Sequence, residues 1–149
     1  MDIGSDLVAS EHGNVFLSEC LHRQKEHITV FGGDQVRPNI HIDDITDVYL
    51  FMLAHPQHQG IYNAGFENIS IMDIARRVTE HAPARITVTE SNDPRSYRVN
   101  SDKLLATGYR PKKTVDDAIR EIVDKFRLGQ LKDEDRFHNL RWMQREVLK

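Results

Sequence analysis

Cysteine is almost missing from this chain. Cys20 is the single one in 149 residues, so no intrachain disulfide can form, and a reducing, cytoplasmic compartment is expected. No apolar run approaches the roughly 18–20 residues that a membrane span needs. The first residues are mixed and acidic, unlike a signal peptide. A basic excess is also lacking. Lys and Arg number 20 against 23 Asp and Glu, a net charge of -3, which argues against nucleic acid as the main partner. Internal repeats and low-complexity tracts are absent. None of the eight glycines falls into Gly-x-Gly-x-x-Gly, the strand-to-helix loop that brings a dinucleotide's phosphates onto a helix N-terminus. What is present, 39% hydrophobic and 29% charged residues, suits one modest soluble domain.

Strand and helix patterns alternate, so the expected class is α/β. Residues 1–13 show no period and are expected to be loose. Residues 14–25 read as a helix, with Phe16, Leu17, Cys20 and Leu21 on one face. Cys20 is then a small core residue. Residues 28–31 read as a strand closed by Gly32, Gly33 and Asp34, and residues 39–42 as a second strand containing His41. Asp44 is a suitable N-cap for a helix running to His55. That helix is apolar all round at residues 48–54, so burial on more than one side is expected. Residues 60–64 and 86–88 read as strands, and 97–99 as a further short one. Ser70 caps a helix with the stripe Ile71, Ile74, Ala75 and Val78. Ser101 caps a short helix stopped by Gly108. Thr114 caps the clearest helix, striped by Val115, Ala118, Ile119, Ile122, Val123 and Phe126 and ended by Gly129. Residues 131–149 form a charged tail, with Leu140, Met143 and Val147 spaced for a weak amphipathic helix.

Arg37 and Arg95 stand on separate turn-rich loops, each just before an expected strand. Two such arginines are able to clamp one anionic group, because the guanidinium fork matches phosphate oxygens. Equally, both are compatible with solvated loop arginines. Tyr109 and Lys113 carry a Tyr-x-x-x-Lys spacing. The pairing works on a helix, where positions four apart share a face. Here Gly108 precedes and Pro111 intervenes, so the segment reads as a loop, with Tyr109 packing under the last helix. Eight histidines supply no metal set. His55 and His58 lack a third ligand and read as surface residues, and His41, between two isoleucines, reads as structural. Asp43 and Asp44 read as helix-start residues rather than an acid pair.

Four segments in this order resemble the extended short-chain dehydrogenase/reductases, the NAD-dependent epimerase/dehydratase family that acts on nucleotide sugars. They are ITVFGGDQVRPNIHIDD at residues 28–44, GIYNAG at 60–65 followed by ISIMDI at 69–74, DPRSYRVNSDK at 93–103, and GYRPKKTVDD at 108–117. The resemblance covers residues 14–130 and implies the C-terminal, substrate-holding portion of that fold, a nucleotide-sugar-binding region of short strands alternating with helices. By the same resemblance, Phe31 lies against the base, Arg37 and Arg95 bind the diphosphate, and Asn68 lies near the nucleotide.

The family binds NAD on an N-terminal Rossmann half and oxidises the sugar with a helical Tyr-x-x-x-Lys. Neither motif is found here, so no catalytic, cofactor-binding or metal residue is assigned and enzymatic status is left open. A complete enzyme of this kind needs about 170–200 further residues before this segment. The expectation is a fragment that contributes the nucleotide-diphosphate-sugar site and is inactive alone. The alternative is a non-catalytic nucleotide-sugar-binding or interaction module that assembles with a partner chain. A homodimer, or a partner chain supplying the Rossmann half, is expected to cover the apolar helix.

Overall fold

The computed structural model describes residues 27–91 and 95–131. The helix expected at residues 14–25, the loose segment at 1–13 and all of the tail beyond residue 131 lie outside them. Within them the chain runs β1 (His27–Phe31), β2 (Val36–Asn39), α1 (Ile42–Ala54), β3 (Glu67–Ser70), α2 (Ile71–His81), β4 (Arg85–Thr89), α3 (Asp102–Leu105) and α4 (Val115–Arg127). It is a mixed α/β arrangement with two small sheets. In one, β1 and β4 pair in parallel, with Ile28 opposite Ile86 and Val30 opposite Val88. In the other, β2 and β3 pair antiparallel, with Arg37 opposite Ile69 and Pro38 opposite Asn68.

Two apolar clusters hold these elements. The larger joins Ile28 and Val30 of β1, Ile69 of β3, Ile71, Ile74, Ala75 and Val78 of α2, and Val115, Ile119 and Val123 of α4. The α2 stripe is the one read from spacing, and most of the α4 stripe is buried with it. Both helices start as their caps dictate. The Ser70 hydroxyl accepts from the Asp73 amide, and Thr114 forms a reciprocal capping box with Asp117. The smaller cluster joins Val48 of α1, Leu104 of α3 and Tyr109, with Phe51, Met52, Tyr62, Ala64 and Phe66 packed on it.

Several expectations are corrected here. The second strand ends at Asn39, not at residue 42, and His41 takes the cap of α1, its Nδ1 accepting the Asp43 amide at 3.1 Å. Asp44 sits inside the helix instead. It is 1% exposed, and its carboxylate accepts from the backbone amides of Lys112 and Lys113 at 2.9 and 3.0 Å. Residues 60–64 make no strand, because Tyr62 and Ala64 pack on the smaller cluster without a partner strand; β3 begins three residues later. Residues 97–99 make no strand either. Ser101 caps nothing with its side chain. Its hydroxyl bridges the N–H and C=O of Gly65, both at 3.0 Å, while Asn100 accepts the Asp102 amide. Tyr109 packs on Phe51 and Phe66 rather than under α4.

Among the described residues α1 is covered on one side only. Val48 is buried and Phe51 and Met52 are half-buried, whereas Tyr49, Leu50 and Leu53 are 69%, 59% and 79% exposed. The apolar composition runs all round the helix, and among the described residues its second face is exposed.

The Asp44 contacts join α1 to the segment leading into α4. Asp44→Ala leaves two amides without their acceptor. It is expected to lower unfolding stability by about 2–4 kcal/mol in urea denaturation, and a loss within experimental error of zero would show that the segment is held by packing alone.

Candidate functional site

The β1–β2 connection is a tight turn built on two left-handed glycines, Gly32 at φ 77° and Gly33 at φ 112°. Gln35 is folded back into it. The Gly33 amide donates to Gln35 Oε1 at 2.7 Å, and Gln35 Nε2 donates to the Phe31 carbonyl at 3.3 Å. A Cβ on Gly32 would lie 2.4 Å from Gln35 Nε2, so glycine is required there. The turn sets Phe31, half-buried, at the end of β1 and Arg37 at the second position of β2.

Arg37 is met by the segment 95–101. Its Nη1 donates to the carbonyl of Arg95 and to that of Val36, and its guanidinium carbon lies 5.1 Å from the centre of the Tyr97 ring. The same segment is stitched along the edge of β2. The Val36 amide donates to Ser96 Oγ at 3.1 Å, and the Tyr97 amide donates to the Val36 carbonyl at 3.2 Å. The structure therefore brings Arg37 against Arg95, though it does so through the Arg95 main chain. Asn68 has a different place. Its side-chain amide donates to the Val99 carbonyl at 3.0 Å and its oxygen accepts the Val99 amide at 2.8 Å. It therefore acts as a strand-like partner for the segment rather than as a group held out for a ligand. The sequence reading did not include Ser96 and Tyr97. An aromatic residue two positions after a loop arginine is a signal for them, but a weak one.

Tyr109, Lys113, His41, His55 and His58 are engaged within the fold. Tyr109 donates its hydroxyl to the Asp44 carbonyl at 2.9 Å. Burial, then the charges of Asp44 and Asp47, push the phenol up to about 12, the reverse of an activated tyrosine. Lys113 is bound to Glu121, so the Tyr-x-x-x-Lys spacing makes no pair. The His41 ring lies with Nε2 3.5 Å from Glu121, which with Asp43 forms a group of three possible metal ligands. Lys113 already bonds Glu121 and lies 3.8 Å from Asp43. Its hydrogen bond holds the Glu121 carboxyl below its ordinary range. The group is thus an ion-pair network tying α1 to α4. His55 and His58 stack on Phe51 and are half-buried rather than surface residues.

Residues 10–65 match the NAD dependent epimerase/dehydratase family. Over that stretch the chain is similar to that family. It is 25% identical over 96 residues to dihydroflavonol 4-reductase of Solanum lycopersicum, covering 62% of this chain and 25% of the reductase. It is 27% identical over 125 residues to UDP-glucose 4-epimerase of Streptococcus mutans, covering 73% of this chain and 38% of the epimerase. The chain thus spans between a quarter and two fifths of these relatives' length. Its fold is similar to that of RMD from Pseudomonas aeruginosa, a structure complexed with NADPH, at a TM-score of 0.57 and 19% identity over 70% of this chain and 37% of that one. It is also similar to DdhaC, at 0.56 and 17% over 70% and 33%.

The epimerase/dehydratase family implies a nicotinamide cofactor, but the described residues do not fit one. No glycine loop leads into any described helix. The first turns of α1, α2 and α4 carry Asp43 and Asp44, Asp73, and Asp116 and Asp117, which oppose a pyrophosphate. Among the described residues no helix is long and apolar enough to cross a membrane.

The raised Tyr109 pKa makes a testable claim. Folding favours the protonated phenol, so its contribution is complete below pH 10 and is lost as the pH rises towards about 12. Ultraviolet titration is expected to show one tyrosine ionising last, and Tyr109→Phe is expected to remove that late step. Persistence of the step in the Phe variant would refute the assignment.

Proposed function

We propose that this chain contributes the nucleotide-diphosphate-sugar-binding region of an NAD-dependent epimerase/dehydratase and is inactive alone, with cofactor and catalytic residues supplied from outside this sequence. The observation that supports the reading is the meeting of Arg37 with the Arg95 segment at the end of β2. Two arginines, carried by elements that hydrogen bonds lock together, suit a diphosphate. Phe31, across the Gln35-braced turn, is the surface offered to the base. Asn68 supports the site from behind by holding Val99. Each charge-assisted contact contributes about 1.5–3 kcal/mol, so two of them give affinity on the order of millimolar. Amide chemical shifts followed during UDP and GDP titration are expected to move at residues around Arg37 and Arg95, and the movement is expected to vanish in Arg37→Ala and Arg95→Ala. Unchanged shifts in both variants would remove the assignment. Turnover of nucleotide sugars by the purified chain with added NAD would contradict its inactivity.

A second reading, a non-catalytic module that assembles with a partner chain, is favoured by the exposed stripe Tyr49, Leu50 and Leu53 on α1. Side chains of this size left in water forgo roughly 1.5–3 kcal/mol each, so a homodimer or a second chain is the expected cover. Sedimentation equilibrium over a hundredfold concentration range, comparing the unaltered chain with Leu50→Lys, is expected to show association in the former and less in the latter. A monomer throughout that binds no hydrophobic dye would exclude self-association through this face.

A further inference from the structure

We infer that Tyr97 is a positioning residue for Arg37, holding the guanidinium in the orientation in which it meets a nucleoside diphosphate. The inference rests on the reading of Arg37 as a diphosphate ligand, and adds the residue that makes it one. Arginine is a long side chain with much rotamer freedom, and anion binding through it is weakened by the cost of ordering it. In this structure that ordering is already done. The Nη1 group is directed to the Arg95 and Val36 carbonyls, and the guanidinium carbon lies over the Tyr97 ring, 5.1 Å from its centre. The ring attracts the cation through its π face and takes up none of the guanidinium N–H donors.

The ring is a defined platform because its own backbone is fixed. Both main-chain groups of Val36, the residue before Arg37, are bonded to the segment that carries the ring: the amide to Ser96 Oγ and the carbonyl to the Tyr97 amide. The relation of ring to guanidinium is thus set by two backbone-level contacts one residue away. Tyr97 is itself 54% exposed, more than core packing would leave it. Among the described residues, the contact that accounts for its place is the cation above it. The adjoining Arg95 supplies the second arginine, so one short segment provides both a ligand and the platform for the other.

The test uses UDP as probe and the whole chain. Tyr97→Phe keeps the π face, whereas Tyr97→Leu keeps bulk without it, and both retain the backbone amide bonded to Val36. Tyr97→Leu is expected to raise the dissociation constant about two- to fivefold, the range of an exposed cation–π contact, with Tyr97→Phe close to the unaltered chain. In an Arg37→Ala background Tyr97→Leu is expected to add nothing, because its effect passes through Arg37. Before any ligand is added, the Arg37 Nε–Hε resonance is expected to shift in Tyr97→Leu and to stay in Tyr97→Phe. An unmoved resonance in the Leu variant overturns the inference on its own. Equal weakening by Tyr97→Leu with and without Arg37 also overturns it while leaving the site reading intact. If Arg37→Ala binds UDP as well as the unaltered chain, the site reading fails, and the positioning role with it.

Discussion

A buried carboxylate organises this molecule. Asp44, in the first turn of α1, accepts the two backbone amides of Lys112 and Lys113, and its own carbonyl accepts the Tyr109 hydroxyl. A carboxylate removed from water is tolerable only when its oxygens are satisfied, so these contacts fix the path of the chain from Tyr109 to Thr114. That path delivers α4 to its position. Glu67 of β3 then accepts the Val115 amide at 2.6 Å, and Arg77 of α2 bridges Glu67 and Asp116. The two apolar clusters have no buried side chain in common, and this chain of polar contacts between α1, β3, α2 and α4 links them.

The candidate site depends on a second economy of the same kind. Segment 95–101 joins no sheet, yet it is held along β2 and β3 almost as a strand would be. Ser96, Asn68 and Ser101 side chains replace the main-chain donors and acceptors of a ladder. Asn68 is instructive, because a carboxamide presents one donor and one acceptor side by side and so mimics a peptide group. Its match to Val99 on both counts explains its presence at this position without a ligand.

How much of this was legible in the sequence differs by element. Spacing identified α2 and α4 with their stripes and the caps Ser70 and Thr114, because those signals are local and agree with one another. The second strand lies three residues earlier than expected, at 36–39, and residues 60–64 and 97–99 form none, since an apolar alternation does not say whether a partner strand exists; Tyr62 and Ala64 face a cluster instead. The capping of α1 was misassigned for a similar reason. Asp44 suits an N-cap, and only the distant Lys112 and Lys113 amides reveal why it is used inside the helix while histidine caps. In the site, Arg37 and Arg95 were visible as loop arginines. Their meeting through a main-chain carbonyl and an aromatic ring depends on contacts between residues 58 to 60 positions apart, which no local pattern encodes.

The distribution of charge decides where an anion is able to bind. Helix N-termini are the usual phosphate sites, yet α1, α2 and α4 each begin with aspartates. These carboxyls are engaged rather than incidental. The Ser70 hydroxyl holds Asp73 below its ordinary range, and hydrogen bonds from Thr114 do the same for Asp117, so both stay ionised where a phosphate does. The positive ends of these helices are thereby neutralised from within, to the benefit of helix stability. Attraction for a diphosphate then has to come from side-chain cations placed away from the caps. Arg37 on β2 and Arg95 on its segment meet that condition, and hydrogen bonds of Ser96, Asn68 and Ser101 hold that segment in place. In this fold the capping that stabilises the helices and the binding of an anion thus occupy different elements.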